Sequence, residues 1–292
     1  MHGNTFADLH IHSCFSDGTM TPEEIYGAAR ESGVGVIAVA DHDVIEGNAR
    51  MQALCSGGDI ICVPAAEIDA LYKESNFHIL AYGFDMNDCG FINFLSHVRF
   101  MLDEMNVRLV EAMVPDYADV SLADFFDFVH DARLGGWKAL SYLTAKGLSA
   151  NLKDGMKYYP MYGITYGAAG FPSIASIAIR VKRAGGHAVL AHPGELIETS
   201  DINAFISELE AIAAVGIDGV ECYYPSHSPE VTAACLELCA RNDLIITAGS
   251  DCHGAFGGGK IGEQFVKLNE LRLGRIWNPP LQQRRLVVNC NP

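Results

Sequence analysis

Histidines in short polar motifs are the strongest chemical signal in this 292-residue chain. The stretch ADLHIHSCFSDGT, residues 7–19, places Asp8, His10 and His12 on alternate positions of a predicted strand, and Asp17 follows in the loop. Alternate residues of a strand point to the same side, which in a soluble protein is usually the packed core. Because two imidazoles and a carboxylate are poor core residues, we expect this side to face a bound ligand.

Further polar motifs stand at the ends of later apolar runs: DHD, AEID, FHIL, AHPG and GSDCHG. They contribute His42, Glu67, His78, His192, Asp251 and His253. Each motif alone has a structural explanation, such as a helix cap or a solvated turn, but one shared site accounts for all of them. Imidazole nitrogens together with carboxylate oxygens suit zinc, manganese or iron, so the sequence predicts a metal centre. If the strands of Glu67 and His78 pair antiparallel, both side chains lie at the same end.

Short apolar strands alternate with helices in the first 90 residues and again from about residue 173. A helix over TPEEIYGAARESG is predicted from Thr21 as N-cap, Pro22 at the first position and Gly33 after the end. This rhythm predicts an α/β fold with buried, mostly parallel strands. Polar clusters at the ends of successive strands favour a closed barrel over an open sheet. No glycine-rich phosphate loop follows the first strand, so dinucleotide binding has little support.

The middle of the chain interrupts this alternation. Helices are predicted near residues 90–113, 121–131 and 137–146, and the aromatic, glycine-rich segment KYYPMYGITYGAAGF closes the stretch. We therefore predict a helical insertion rather than another strand–helix unit.

Composition limits the classes of partner. The net charge of −16 argues against binding to long nucleic acid, which relies on basic surface, but leaves phosphorylated small molecules open. No apolar run reaches the roughly 18 residues that a membrane span needs. The N-terminal residues lack the basic and apolar regions of a secretory signal, so we expect a cytoplasmic protein.

The motifs HIHSCFSDG, ADHD, FHILAYGF, AHPG and GSDCHG, with Glu67 after an apolar strand, occur in an order that resembles the polymerase and histidinol phosphatase (PHP) family. The resemblance covers roughly residues 1–90 and 173–273. It implies a distorted (β/α)7 barrel, formed here by residues 1–90 and 173–292. Residues 91–172 would form a mostly helical insertion domain that covers the active site.

The resemblance also implies a ligand set for two or three divalent ions, with manganese expected first and zinc or iron as alternatives. The first ion would be held by His10, His12, Glu67 and Asp251. Glu67 would bridge to a second ion, completed by His78 and His192. Asp17, His42 and His253 would hold a third. Some family members have histidine where this chain has Asp17, so this position is the least securely transferred.

The activity that the family implies is phosphoester hydrolysis by a hydroxide shared between two cations. The insertion resembles that of the branch acting on small phosphorylated molecules, such as nucleoside mono- or bisphosphates or small cyclic phosphodiesters. An exonuclease on short oligonucleotides, an amidohydrolase and a non-catalytic metal-binding module are the alternatives.

Four side chains are candidates for contact with the substrate. His227, in YYPSHSPE, follows another predicted strand and could act as general acid or phosphate contact. Arg133 and Lys138 flank a glycine pair in an insertion segment similar to an arginine-bearing segment of the family, and Arg133 could hold phosphate in a bidentate way. Arg180 lies on the predicted helix before HAVLAHPG.

Two groups of residues have two open roles each. Asp8 and Asp41 stand close to predicted ligands and could orient imidazoles or cap backbone turns. The insertion's tyrosines could stack a base or pack the insertion against the barrel; they are Tyr158, Tyr159, Tyr162 and Tyr166.

Overall fold

A computed structural model describes residues 5–276 of the chain. The strands in this range are β1 (Phe6–Ile11), β2 (Val34–Val39), β3 (Ile61–Cys62), β4 (Ala65–Tyr72), β5 (Ser75–Tyr82), β6 (His187–Leu190), β7 (Gly219–Tyr223) and β8 (Ile245–Ala248). The α-helices are α1 (Pro22–Glu31), α2 (Glu46–Cys55), α3 (Cys89–Met113), α4 (Leu122–Asp127), α5 (Lys138–Ala145), α6 (Leu152–Gly155), α7 (Tyr158–Met161), α8 (Tyr166–Ala169), α9 (Ile174–Arg183), α10 (Pro193–Leu196), α11 (Ile202–Ala213) and α12 (Pro229–Asn242). Short 3₁₀ helices span Ala132–Leu134, Leu268–Glu270 and Gly274–Ile276.

Helix α1 shows how local sequence sets the element boundaries. The Thr21 hydroxyl accepts the Glu24 N–H, and the Glu24 carboxylate accepts the Thr21 N–H, so two otherwise unpaired donors at the N-terminus are satisfied. Pro22 occupies the first helical position, where no N–H is needed. The predicted helix start is therefore confirmed.

The strands form two sheets that approach each other at both edges. β1, β2 and β3 form a parallel sheet, and β4 to β8 pair in chain order in the second. An isolated bridge joins His42 to Glu67 at one edge, and another joins Ile11 to Cys252 at the other. Predicted metal ligands or their chain neighbours thus stand at both junctions.

The β4–β5 hairpin projects a polar side and an apolar side. The predicted antiparallel pairing is confirmed, with Asp69 opposite His78 and Glu67 opposite Leu80. Alternation along the strands sends Ile68, Ala70, Phe77 and Ile79 to the other side, where they join the hydrophobic core. The pleat alone therefore separates the polar cluster from the core.

The α/β fold class and the mostly parallel pairing are confirmed, since four of the six strand pairings are parallel, but the paired strands among residues 5–276 do not form a closed barrel. β5 runs antiparallel to both β4 and β6, and neither sheet closes on itself. Only two residues separate β4 from β5, which is too short for the crossover that parallel strands require.

The predicted helical character of the insertion is also observed: residues 89–169 contain helices α3 to α8 and no strand. Leu102, Met105 and Tyr142 from this stretch share one core with Ile68 and Ile79 of the second sheet. The stretch therefore packs directly on the sheet that carries Glu67. The domain limits themselves stay a prediction, and residues 277–292 lie outside the described range.

Among residues 5–276, no helix has the length and apolar character needed to cross a membrane.

Gly249, just after β8, tests how closely the two sheets must approach. A Cβ at this position would collide with the Cβ of His10 and with the Glu221 carboxylate. We expect Gly249→Ala to lower the free energy of unfolding by about 1–3 kcal/mol, because this packed junction has no room for a methyl group. In helix α1, by contrast, a Cβ at Gly27 meets open space, so Gly27→Ala should raise stability by about 0.5–1 kcal/mol. Urea unfolding of both variants checks this; equal stabilities would contradict the close approach.

Candidate metal centre

The predicted metal ligands converge on one buried cluster. Their nitrogen and oxygen atoms fall into overlapping groups, each with all atoms within 4.8 Å of one another: His10, His12, Glu67 and Asp251; Glu67, His78 and His192; His12, Asp17, His42 and His253. Each lies in a strand or in the loop that follows one, so the fold gathers residues that are up to 243 positions apart, from His10 to His253.

The first group has the spacing of a tetrahedral donor set. His10 Nε2 lies 3.0 Å from His12 Nε2 and 3.0 Å from Glu67 Oε2. Asp251 Oδ1 lies 3.1 Å from His12 Nε2 and 3.4 Å from His10 Nε2. Metal–ligand bonds of about 2.0–2.1 Å in a tetrahedron place neighbouring donors roughly 3.4 Å apart. The group therefore needs only small adjustments to hold a cation.

Glu67 connects the first group to the second. Its Oε2 belongs to the first group, while its Oε1 lies 3.1 Å from His78 Nδ1 and 3.0 Å from His192 Nε2. Those two imidazole nitrogens lie 3.2 Å apart. One carboxylate thus offers an oxygen to each of two neighbouring positions, as a bridging ligand does.

The third group shares His12 with the first. Asp17 Oδ1 lies 3.4 Å from His12 Nδ1, and Asp17 Oδ2 lies 3.1 Å from His253 Nε2. The rings of His12 and His253 stack with centroids 3.9 Å apart. His42 completes the group. The structure thus keeps Asp17 with its predicted partners and adds His12 to them.

Electrostatics within the cluster favour positive charge. Burial favours the neutral form of Glu67, but His10, His78 and His42 hold the pKa of this carboxyl well below its ordinary value. Burial would lower the pKa of His12, yet the neighbouring carboxylates of Asp251 and Glu67 raise it to about 10. The buried carboxylates therefore remain charged and stabilise cations near them.

The backbone at the strand ends is strained where ligands are presented. His192 has φ of 26° and Asp251 has φ of 51°, a region that residues other than glycine rarely occupy. Such conformations cost on the order of 1–3 kcal/mol and cluster at functional sites. The Asp251 carboxylate is fixed by the Tyr224 hydroxyl, which donates to its Oδ2 at 2.9 Å.

Of the two roles left open for Asp8 and Asp41, the structure shows backbone and hydroxyl capping. Asp8 accepts the N–H groups of Ser250 and Gly262. Asp41 accepts the Ser13 N–H at 2.7 Å and the hydroxyls of Ser13 and Ser16. Both carboxylates hold the loops that present ligands and do not orient the imidazole rings.

Glu221 was missed from the sequence and is the residue that orients His10. It is fully buried on β7, its Oε1 lies 3.1 Å from His10 Nδ1, and its Oε2 accepts the His192 N–H at 2.9 Å. A carboxylate at the far ring nitrogen fixes the tautomer that presents Nε2 to a metal. The signal was a charged residue within the apolar run GVECYY, the same pattern that identified Glu67.

Asp69 was also missed from the sequence, and it orients the His78 ring as Glu221 orients the His10 ring. Asp69 Oδ1 lies 3.3 Å from His78 Nε2, so His78 Nδ1 is left for the cluster. Asp43 stands next to it and accepts the Asp69 N–H at 3.2 Å. Burial and the neighbouring Asp69 carboxylate raise the pKa of Asp43 well above its ordinary value, so the negative charge of this pair lies on Asp69, beside His42 and His78.

The donor set fits divalent cations. Imidazole nitrogens and carboxylate oxygens at these spacings suit manganese, zinc or iron. Two buried polar atoms without a hydrogen-bond partner, His12 Nδ1 and Asp251 Oδ1, belong to the same cluster. Polar atoms of this kind are rarely left unpaired unless an ion, water or ligand satisfies them.

The structure does not support the predicted role of His227 as general acid. Its Nδ1 donates to the Cys222 carbonyl at 3.1 Å, and its Nε2 accepts the Gly194 N–H at 3.0 Å. Burial lowers the pKa of this imidazole, which favours the neutral form. With both nitrogens engaged, His227 holds the turn after His192 and has no proton directed at a substrate.

Two cationic side chains that were predicted to contact the substrate contact neighbouring helices in the structure. Lys138 Nζ donates to the Phe126 carbonyl at 3.1 Å, near the C-terminal end of α4, where unpaired carbonyls attract cations. The Arg180 guanidinium stacks on the Phe94 ring at 4.7 Å, between α9 and α3. Neither prediction as a substrate contact is supported, because these side chains brace helices.

Arg133 lies beside a loop of the site. The segment that carries it is tied to this loop by Gly136, whose N–H donates to the Asp17 carbonyl at 2.9 Å. Arg133 Nη2 pairs with Glu24 Oε1 at 2.8 Å, and both side chains are 48% exposed. Such exposed pairs contribute little stability, so Arg133 is free to exchange Glu24 for another anion. Its role as a phosphate contact stays a prediction.

Trp137, next to this segment, contacts the cluster directly and was missed from the sequence. Its ring meets the His42 ring edge-to-face with centroids 5.6 Å apart, and the Arg99 guanidinium lies 5.0 Å above it. The insertion therefore places an aromatic side chain against His42, and its role as a cover of the active site stays a prediction.

Comparison with known proteins agrees with this arrangement. The PHP domain matches residues 8–131. A phosphoribosyl 1,2-cyclic phosphate 1,2-diphosphodiesterase from Eggerthella lenta is 31% identical over 271 residues, which cover 86% of this chain and 95% of that protein. The chain belongs to the PHP family. A 5'-3' exoribonuclease from Salmonella typhimurium is 26% identical, with 84% of each chain covered.

The fold comparison points to the same family. A crystal structure from Bifidobacterium adolescentis, named for metal-dependent phosphoesterase activity, superposes with a TM-score of 0.70 at 25% identity, covering 91% of this chain and 93% of that one. This PHP protein is therefore a metal-dependent phosphoesterase, and the ligand groups described above are where its metals are expected.

Replacing Glu221 tests the orientation of His10. We expect Glu221→Gln to weaken metal binding about 10- to 100-fold, because the amide no longer fixes the His10 tautomer through a charged acceptor. Metal content by mass spectrometry and affinity by competition with a chelating dye measure the change. Glu210→Gln, which alters an exposed carboxylate paired with Arg241, is the matched control. Equal metal affinity in both variants would exclude the orienting role.

Proposed function

We propose that this PHP enzyme hydrolyses phosphate esters of small phosphorylated molecules: nucleoside mono- or bisphosphates, or small cyclic phosphodiesters. The observation that carries this proposal is the shared ligand set, in which Glu67 belongs to two donor groups and His12 to two. Adjacent cation positions suit phosphoryl chemistry, because two ions can contact the attacking and leaving oxygens together.

We further propose two or three divalent ions, with manganese first and zinc or iron as alternatives. Bound ions would acidify a water for attack on phosphorus and neutralise the phosphate oxygens. His10, His12, Glu67 and Asp251 would hold the first ion. Glu67, His78 and His192 would hold the second, and Asp17, His42, His253 and the second nitrogen of His12 the third.

The protein's own residues would position and shield this chemistry. Glu221 and Asp69 hold His10 and His78 in the tautomers that direct a lone pair to the cluster. Tyr224 fixes the Asp251 carboxylate. Trp137 would limit the access of water on the side of His42, which strengthens the electrostatic interactions inside the site. We also propose that the two bridged sheets form the distorted barrel of the family, with residues 91–172 as its cover.

The second candidate is a 5'-3' exonuclease on short oligonucleotides, which the similarity to the Salmonella typhimurium exoribonuclease favours. The hydrolytic chemistry would be the same. The net charge of −16 does not favour extended contact with a nucleic-acid backbone, so such a substrate would be short.

Metal removal tests the proposal directly. Chelation of the purified protein should abolish phosphate release from small phosphate esters, and manganese should restore it, because the cluster has no other source of an activated nucleophile. His10→Ala should lose bound metal and activity together, while His97→Ala, an exposed histidine on α3, should lose neither. Full phosphatase activity in metal-free protein would refute the mechanism.

Arg133 is tested by a pair of substitutions. If Arg133 binds phosphate, Arg133→Ala should reduce kcat/KM roughly 10- to 150-fold. This factor corresponds to about 1.5–3 kcal/mol of lost transition-state stabilisation, as expected for a charge-assisted hydrogen bond. Glu24→Gln removes the competing carboxylate and should leave KM unchanged or lower it. Steady-state kinetics on one phosphate ester, with Arg241→Ala as an exposed control, decide the point. An Arg133→Ala enzyme with wild-type kinetics would exclude Arg133 from the site.

A further inference from the structure

A cavity of about 250 Å³ lies between the β4–β5 hairpin and the insertion. Its wall includes Asn76 from the hairpin, Leu102 and Met105 from α3, Trp137, and Ile164 and Tyr166 from the segment around α8. A larger cavity of about 360 Å³ lies between α11 and α12, but none of its lining residues belongs to the metal-ligand groups.

Two side chains connect the hairpin cavity to the metal-ligand cluster. Asn76 Nδ2 lies 2.9 Å from His78 Nε2, and the Trp137 ring contacts the His42 ring. Asn76 lies two residues before His78 on the same side of β5, a separation of about 7 Å along a strand. A ligand with one end at the metal ligands and the other in the cavity would therefore be a small molecule.

The residues that line the cavity indicate which chemical group of such a ligand would bind there. Most of the wall is apolar or aromatic, and Glu74 is the only charged residue among the described residues that line it. Without lysine or arginine, and beside a carboxylate, the cavity does not attract a phosphate group. Its volume lies just below the range of about 300–1,000 Å³ for sites that hold drug-sized ligands, so it suits a single ring system.

The aromatic wall is held in place by the surrounding structure. The Arg99 guanidinium stacks on Trp137, and Tyr166 packs against Phe171 with ring centroids 4.4 Å apart. Tyr159, which also lines the cavity, is buried and hydrogen-bonds through its hydroxyl to Asn106. Rings fixed in this way offer planar surfaces on which a base can stack at little conformational cost.

We infer that this cavity binds the heteroaromatic base of a nucleotide whose phosphate lies at the metal-ligand cluster. The inference rests on the proposed phosphoesterase function and narrows it. Of the candidate substrates, nucleoside phosphates and short oligonucleotides carry a base, whereas a phosphoribosyl cyclic phosphate has only sugar and phosphate. The side chains of Asn76 and Glu74 offer hydrogen-bond acceptors for the N–H groups of a base.

The test compares substrates that differ only by the base. Nucleoside 5'- and 3'-monophosphates are paired with ribose 5- and 3-phosphates, so that the phosphate is on the same carbon in each pair. Wild-type enzyme should show a kcat/KM at least about tenfold higher for the base-bearing member, as expected for a base stacked on aromatic rings. Rates equal within twofold would overturn the inference and leave the phosphoesterase proposal intact.

A substitution that fills the cavity with a larger side chain can be compared with the same substitution at an exposed position. Ile164→Trp should remove the preference for nucleotides and leave the ribose phosphate rates within twofold of wild type. Ile179→Trp, at an exposed position on α9, should retain the preference. A preference that survives in Ile164→Trp would place the base elsewhere.

A binding measurement does not depend on turnover. Isothermal titration calorimetry with adenosine and with guanosine should show saturable binding to wild type and to Ile179→Trp, in both the manganese-loaded and the chelated protein. The same titrations of Ile164→Trp should show no binding. Failure of both nucleosides to bind wild type would overturn the inference. If no phosphate ester is hydrolysed but a nucleoside binds as expected, the proposed function fails and the base site stands.

Discussion

A buried carboxylate surrounded by imidazoles is the constraint on which the rest of this structure depends. Glu67 is 1% exposed, and its two oxygens lie 3.0–3.3 Å from nitrogens of His10, His12, His42, His78 and His192. A charge in such a place is costly unless cations or hydrogen-bond donors compensate for it. The surrounding strands therefore have to end where they can bring these donors to one point, and the strained backbone at the strand ends is consistent with that demand.

The β4–β5 hairpin links the proposed chemistry to substrate choice. Its pleat puts Glu67, Asp69, His78 and Asn76 on one side, so a single element carries the proposed bridging ligand, a proposed terminal ligand, the carboxylate beside it and the edge of the hairpin cavity. The insertion supplies the opposite wall through Trp137. A change of register in this hairpin by one residue would move every one of these groups to the core side.

Much of the cluster was accessible from the sequence because metal ligands are constrained by residue type and by position at strand ends. Glu221 repeats the pattern of Glu67, a charged residue in an apolar strand, and could have been found by applying it consistently. His227 shows what such a pattern leaves out. It also follows a strand, but hydrogen-bonding groups of the backbone, the Gly194 N–H and the Cys222 carbonyl, lie within its reach, and no sequence pattern reveals that.

The sequence by itself determined the α/β class, the helical character of the insertion and most of the residues able to bind cations, since these follow from periodicity and side-chain chemistry. Only the tertiary structure decided which ring nitrogen of each histidine faces the cluster, that Lys138 and Arg180 brace helices, and that Trp137 reaches His42. These outcomes depend on distances between residues far apart in the chain. Such distances are set by sheet pairing and helix packing, which local sequence patterns do not encode.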